Sequence, residues 1–130
     1  MTLALGAALL LGACRGQPTI VQGEVYPAEL KQSRVLDVQV ARERTHITLV
    51  NTSAQALGGR LWVNQWWSRE LPSVEPGQRI TLDLREFKDR FGKPYRAGGF
   101  FATENPDKLV LTQLQSGGEM LGLVTLVPTN

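Results

Sequence analysis

The chain has 130 residues, enough for one domain, and its apolar content of 42% and charged content of 20% are those of an ordinary globular protein. Its 14 basic and 12 acidic residues leave a formal charge of +2 and are spread along the chain, which excludes the clustered basic surface of a nucleic-acid-binding protein. The single cysteine, Cys14, excludes an intramolecular disulfide and a cysteine-based metal site.

An uncharged apolar segment precedes that cysteine. Leu3 to Leu11 is too short to span a bilayer, which needs about 20 apolar residues, but it has the length of the apolar core of a secretory signal. The segment Leu11-Gly12-Ala13-Cys14 resembles the lipobox of bacterial lipoprotein precursors, in which the cysteine becomes the lipidated N-terminus. The segment before it departs from that family's pattern, because no Lys or Arg precedes the apolar block.

The chain is expected to divide into three parts, the first two implied by the lipobox resemblance and the third by the strand pattern described below. Residues 1–13 would be a signal peptide, residues 14–18 a lipidated cysteine with a tether, and residues 19–130 a single β-sandwich domain. The lipobox resemblance also implies a bacterial cell-envelope location, with the membrane contacted through the lipid. Because Arg15 rather than an aspartate follows the cysteine, the periplasmic face of the outer membrane is favoured in a diderm. The alternative is a buried N-terminal helix with an incidental free cysteine.

Most of the remaining chain alternates apolar and polar residues with the period of β-strands. In chain order the predicted strands cover residues 19–25, 35–40, 45–50, 60–68, 79–84, 95–103, 109–115 and 120–127. The second and third of these, and the last two, are predicted to form antiparallel hairpins. The strand over residues 60–68 contains all three tryptophans.

One short helix is predicted over about Leu84 to Phe91. Asp83 and Glu86 have the spacing of a capping box, and Gly92 stands where a helix commonly ends in the left-handed conformation. This helix is the only predicted element able to cover a face of the sheet from outside.

Residues 34–84 resemble bacterial immunoglobulin-like modules. The features that carry this resemblance are the Asn51-Thr52-Ser53 turn after one strand and the Pro76-Gly77 pair before another. The resemblance implies a β-sandwich with its strands in two antiparallel sheets. The predicted fold is therefore all-β, an antiparallel immunoglobulin-like sandwich of seven or eight strands with one short helix.

Catalytic chemistry has little support in the sequence. His46 is the single histidine and falls in a predicted strand, and no nucleophile elbow of the Gly-x-Ser-x-Gly type is present. No catalytic residue, metal site or cofactor is predicted. An enzyme would need His46 to lie in a cleft beside a serine or a carboxylate.

The candidate binding residues are aromatic. With the period of a strand, Trp62, Asn64 and Trp66 share one face, and an indole strip with an amide suits sugar rings or peptide segments. Arg60 and Arg69 flank the strip and could meet a carboxylate. The alternative is that the tryptophans are core residues, packed between the opposing sheet and the predicted helix.

The sequence thus predicts a lipid-anchored, non-enzymatic interaction or accessory module of the cell envelope, with an envelope protein or a glycan as its partner and no role for nucleic acid. The first alternative is a carbohydrate- or peptidoglycan-binding module that uses the Trp62/Asn64/Trp66 face. The second alternative is an enzyme of unknown activity.

Overall fold

The computed structural model describes residues 23–100 and 102–127 of the chain. The predicted signal peptide, the lipidation candidate Cys14 and the tether therefore lie outside the described residues. Of the short strand predicted over residues 19–25, only residues 23–25 are described, and they are not in a strand.

The described part of the chain folds into seven β-strands and one 3₁₀ turn. These are β1 (Gln32–Glu43), β2 (His46–Asn51), β3 (Leu57–Val63), β4 (Trp67–Val74), β5 (Arg79–Asp83), the 3₁₀ turn (Leu84–Glu86), β6 (Thr112–Ser116) and β7 (Glu119–Leu126). The strands form one sheet in the order β4-β3-β6-β7-β1-β2-β5. The prediction of an all-β fold, with hairpins at β1-β2 and β6-β7, is confirmed.

The sheet is mixed, so the prediction of an antiparallel arrangement is wrong. β1 and β7 run parallel, with Gln32 opposite Met120 and Ala41 opposite Leu126. The other strand pairings are antiparallel. β1 is 12 residues long and pairs with β2 as well as with β7. Without the parallel pairing, backbone N–H and C=O groups of both strands would lie on open sheet edges.

The two outermost strands, β4 and β5, are connected by the segment that follows β5. Lys88 in this segment exchanges two backbone hydrogen bonds with Ser68 of β4, at 3.0 and 3.1 Å. The sheet therefore curls into a nearly closed barrel around one apolar core. The core side chains that are at most 1% exposed are Val38, Val40, Ile47, Leu49, Leu61, Val63, Val74, Leu84, Phe87, Tyr95 and Leu114.

The helix predicted over about residues 84–91 is wrong and is replaced by the single 3₁₀ turn. The Asp83 carboxylate accepts a hydrogen bond from the Arg85 N–H at 2.9 Å, so Asp83 does cap the start of a helical turn, although the turn is only three residues long. The chain then becomes extended at Phe87, which has φ −84° and ψ 130° and is fully buried. Burial of Phe87 and the pairing of Lys88 with β4 outweigh the weak stability of so short a helix.

The strand predicted over residues 95–103 is also wrong, because the described residues of this range, 95–100 and 102–103, are not in a strand. Gly98 and Gly99 have φ values of 86° and 116°, a left-handed conformation that favours glycine. The loop closes where the Asp107 N–H donates to the Arg96 carbonyl at 2.7 Å. We call the segment from Arg96 to Asp107 the 96–107 loop.

The single strand predicted for the three tryptophans is a hairpin. β3 ends at Val63 and β4 begins at Trp67, and the turn residues Asn64 and Gln65 have φ values of 53° and 58°. The Trp66 N–H closes the turn by donating to the Val63 carbonyl at 3.1 Å. Asparagine tolerates this left-handed conformation better than most residues, so the turn has a local cause.

Candidate functional site

Trp62 lies on the outward side of β3 but is only 1% exposed. It is covered by the segment of residues 23–31, which we call the N-terminal cover. The Tyr26 ring of this segment meets the Trp62 ring edge-on, with centroids 5.2 Å apart. The indole N–H donates to Oε1 of Gln115 at 2.9 Å. Trp62 is therefore a packing residue, and its ring faces are not available to a ligand.

Asn64 uses its side chain to hold the connection that leads into β6. Its amide nitrogen donates to the Lys108 carbonyl at 2.6 Å. Its amide oxygen accepts hydrogen bonds from the N–H groups of Val110 and Leu111, at 2.9 and 3.1 Å. Because both amide atoms are bonded to the backbone of this connection, Asn64 has a structural role.

Trp66 is half-buried against the turn formed by Asp89–Lys93. Its indole N–H donates to Asp89 Oδ2 at 3.3 Å, and the Arg90 guanidinium lies 4.7 Å from the centre of its ring. Burial would raise the pKa of Asp89, but hydrogen bonds from the Lys93 and Phe91 N–H groups and from Trp66 together hold this pKa below its ordinary value. Asp89 is therefore an anion that organises the turn.

The two predicted arginines are engaged by acidic side chains of the same chain. Arg60 donates to the Ser68 hydroxyl at 2.9 Å and pairs with Glu70 at 3.2 Å, whereas Arg69 pairs with Glu86. Both arginines border a depression of about 250 Å³. The five predicted binding residues thus surround one hairpin, but they do not form one exposed strip.

A larger polar pocket, of about 440 Å³, lies on the same side of the sheet, next to the N-terminal cover. We call it the amide pocket, because three glutamine side chains and the Tyr26 hydroxyl line it. The glutamines are Gln32, Gln65 and Gln113, and the lining also includes Lys31 and Arg90. The pocket therefore combines neutral hydrogen-bonding groups with two cationic side chains.

The polar groups of the amide pocket are already ordered by one another. The Tyr26 hydroxyl donates to Oε1 of Gln113 at 2.9 Å, and Nε2 of Gln113 donates to Oε1 of Gln32 at 2.8 Å. Nε2 of the exposed Gln65 lies 3.3 Å from the Tyr26 oxygen. Gln113 is only 3% exposed and forms a fixed floor, whereas Gln65 is a more accessible wall.

This set of groups suits the recognition of hydroxyls, amides and carboxylates, as found on sugars and peptides. Sequence reasoning did not single out the glutamines. A signal was nevertheless present, since Gln113 lies directly opposite Trp62 in the β3-β6 pairing and so shares its face of the sheet. That signal becomes visible only once the pairing of β3 with β6 is known, because the sequence does not show which distant strands are neighbours.

His46 lies at the start of β2, opposite Asp83 on β5. Its Nδ1 is 2.9 Å from the Thr45 hydroxyl, and its Nε2 is 4.0 Å from an Asp83 oxygen. The Arg85 side chain binds Asp83 through two hydrogen bonds, at 2.9 and 2.8 Å, and this contact holds the pKa of the carboxylate below its ordinary value. Asp83 therefore makes its short hydrogen bonds to Arg85, and its contact with His46 is longer.

Among residues 23–100 and 102–127, no group of three or more His, Cys, Asp and Glu side chains is arranged to hold a metal ion. Within the same ranges, no helix is long and apolar enough to cross a membrane. The chain was also compared with protein-family models, with curated proteins and with solved structures, and none of the three comparisons finds a match.

Proposed function

We propose that this chain is a bacterial lipoprotein, anchored in the cell envelope through a lipid on Cys14, whose β domain is an interaction module without enzymatic activity. The observation that carries the proposal is the lipobox-like Leu11-Gly12-Ala13-Cys14, which follows an apolar block and contains the single cysteine of the chain. Two or more acyl chains on such a cysteine anchor a protein stably, whereas one chain is marginal. In a diderm, Arg15 favours the periplasmic face of the outer membrane.

Features of the described domain support binding rather than catalysis as its role. The carboxylate opposite His46 is bound by Arg85. The amide pocket offers hydrogen-bonding groups and positive charge. An envelope protein or a glycan is the proposed partner, since both present amides and carboxylates to such a surface.

We also propose that the barrel is a variant of the immunoglobulin-like sandwich. The groups β1-β2-β5 and β4-β3-β6-β7 have the strand orders A-B-E and C′-C-F-G of that fold. β1 pairs with both groups, through β2 and through β7, and this would explain why one continuous sheet is found where two are usual. The strand order supports this assignment, and a set of homologous structures would test it.

Labelling with radioactive palmitate tests the lipid anchor. We expect the wild-type chain, expressed in a bacterial host, to incorporate palmitate and the Cys14→Ser variant to lose all incorporation, because the thiol is the acceptor. Arg15→Ala is the matched control, since it changes the neighbouring residue and keeps the thiol. Absence of label in the wild type, or label that persists in Cys14→Ser, would overturn the proposal.

The second candidate function is recognition of peptidoglycan or another glycan in the amide pocket. The observation that favours it is the ordered set of Tyr26, Gln32, Gln65 and Gln113 beside two cations. Sugar hydroxyls exchange hydrogen bonds with amides in this way, and the cations could meet the carboxylates of peptidoglycan peptides. The glycan would therefore bind in the amide pocket and not on the Trp62/Asn64/Trp66 face that the sequence predicted.

Tryptophan fluorescence would report glycan binding, because Arg90 both lines the pocket and lies over the Trp66 ring. We expect soluble peptidoglycan fragments to change the emission of the wild type, and Gln65→Ala to weaken the apparent affinity about 5- to 10-fold through loss of one or two hydrogen bonds. Gln55→Ala, an exposed glutamine at the other end of the barrel, is the matched control. An unresponsive wild type, or equal affinities for both variants, would rule out this pocket.

A further inference from the structure

We propose that one end of the barrel lies against the lipid bilayer and inserts Phe100 among the lipids, an inference that rests on the lipid anchor proposed above. This end is where β1, β3, β5 and β7 finish and β2, β4 and β6 start. We call it the loop end, because it carries the long connection between β5 and β6. The proposed binding partner of the loop end is therefore the lipid bilayer itself.

Five of the eight large, exposed apolar side chains in the described part of the chain lie at the loop end. Phe100 is 94% exposed, and Phe91, Val110, Val127 and Leu126 are 57%, 57%, 49% and 45% exposed. The described connections at the opposite end, residues 52–56, 75–78 and 117–118, contain no large apolar residue. Val25, Val35 and Val124 are exposed away from this end, but none of them is as exposed as Phe100. A cluster of exposed apolar side chains at one end of a small domain is typical of membrane or partner contact.

The 96–107 loop presents Phe100 from a fixed base. The Arg42 guanidinium donates to the carbonyls of Ala97 and Asp107, at 2.9 and 2.5 Å, and to the Tyr95 hydroxyl at 3.0 Å. A salt bridge of 2.9 Å between Arg96 and Asp107 closes the neck of the loop. A loop that is already ordered loses less conformational entropy when its tip enters a lipid surface.

The covalent chain places the anchor near the same end. The Gly23 N–H donates to the Arg90 carbonyl at 3.1 Å, so the domain begins beside the turn that carries the exposed Phe91. Cys14 is nine residues before Gly23. An extended chain covers at most about 3.6 Å per residue, so the lipidated cysteine lies within about 32 Å of Gly23. The anchor therefore holds the domain within reach of the bilayer from this side.

The charges of the loop end complement an anionic membrane. Arg44, Lys93 and Lys108 are exposed there, whereas Arg96 is paired with Asp107. Glu43 and Glu104 are exposed acidic residues at the same end. Exposed basic side chains near the surface are attracted to phosphatidylglycerol and similar lipids. Together with the apolar tip, they give the loop end the composition of an interfacial membrane contact.

Site-directed labelling with a fluorophore tests the proposal on the full, acylated chain. Ala102→Cys places a thiol on the 96–107 loop, and the matched control Ala54→Cys places one at the opposite end; both alanines are exposed. Acylation of Cys14 leaves the introduced cysteine as the reactive thiol. The labelled proteins are reconstituted into phosphatidylethanolamine–phosphatidylglycerol vesicles that contain a doxyl-labelled quencher lipid.

We expect the position-102 label to be at least about twofold dimmer than the position-54 label in these vesicles, because a label at the membrane interface lies beside the quencher lipid. We also expect Phe100→Ser, added to Ala102→Cys, to restore most of the fluorescence. Equal fluorescence at both positions in an acylated protein would overturn this inference while leaving the anchor intact. Failure of acylation would remove the anchor and this inference together. A position-102 label that is shielded in native envelopes but unquenched in pure lipid would assign the surface to a protein partner instead.

Discussion

Replacing Trp62 by alanine is expected to lower the free energy of unfolding by about 3–5 kcal/mol, the usual range for removing a fully buried tryptophan. The ring is 1% exposed and packs against Tyr26 of the N-terminal cover. The substitution would leave a cavity under this cover and would leave Oε1 of Gln115 without its indole donor. Urea denaturation followed by circular dichroism measures the loss.

Trp66→Ala is the matched control for that experiment. Trp66 is only half-buried, so we expect a smaller loss of unfolding free energy, about 1–2 kcal/mol. A Trp62→Ala variant as stable as the wild type would show that the N-terminal cover does not pack on Trp62 in solution. Equal losses for both variants would contradict the difference in burial between the two rings.

Arg42→Met is expected to lower the free energy of unfolding by about 2–3 kcal/mol, because it removes a charged donor from three acceptors at the base of the 96–107 loop. It should also raise the pKa of Tyr95 further. Burial already raises this pKa above its ordinary value, and the positive charge and hydrogen bond of Arg42 oppose that rise. Thermal denaturation measures the first effect and ultraviolet titration of tyrosine the second.

Arg44→Met controls for the loss of a positive charge near the same loop. Arg44 is exposed, and its side chain is not part of the hydrogen bonds that Arg42 makes to Tyr95, Ala97 and Asp107. We expect its unfolding free energy to stay within about 0.5 kcal/mol of the wild type. If Arg42→Met were equally mild, the loop would not depend on the guanidinium, and the fixed base inferred for Phe100 would be wrong.

Local patterns predicted the parts of the fold that depend on neighbouring residues. The alternation of apolar residues gave the β1-β2 and β6-β7 hairpins, since the inward side chains of each strand recur at period 2. The capping signal at Asp83 also has a counterpart in the hydrogen bond to the Arg85 N–H.

The errors arose where distant residues decide the local conformation. Leu84, Phe87 and Phe91 have helical spacing, yet pairing of Lys88 with β4 extends the backbone there. The apolar run around the tryptophans concealed the turn at Asn64-Gln65, because large side chains continue on both sides of it. The parallel pairing of β1 with β7 joins residues about 90 positions apart, so no local pattern records it.

In the candidate site, too, the sequence predicted what neighbouring residues determine and missed what distant residues determine. The sequence indicated the correct neighbourhood, since the tryptophan hairpin borders the amide pocket through Gln65. It did not indicate which side chains are accessible there, because burial of Trp62 depends on Tyr26, which belongs to a different segment. The glutamines of the pocket come from three distant parts of the chain, and only the assembled sheet brings them together.

The parallel pairing of the first strand with the last has a consequence for the order of events during biogenesis. β1 has no partner on one side until β7, which ends at Leu126, has been made and released. Contacts between such distant residues form slowly. For a chain exported from its N-terminus, lipid attachment at Cys14 can therefore precede completion of the barrel. The last folding step of the proposed lipoprotein would then occur while the chain is already tethered to the membrane.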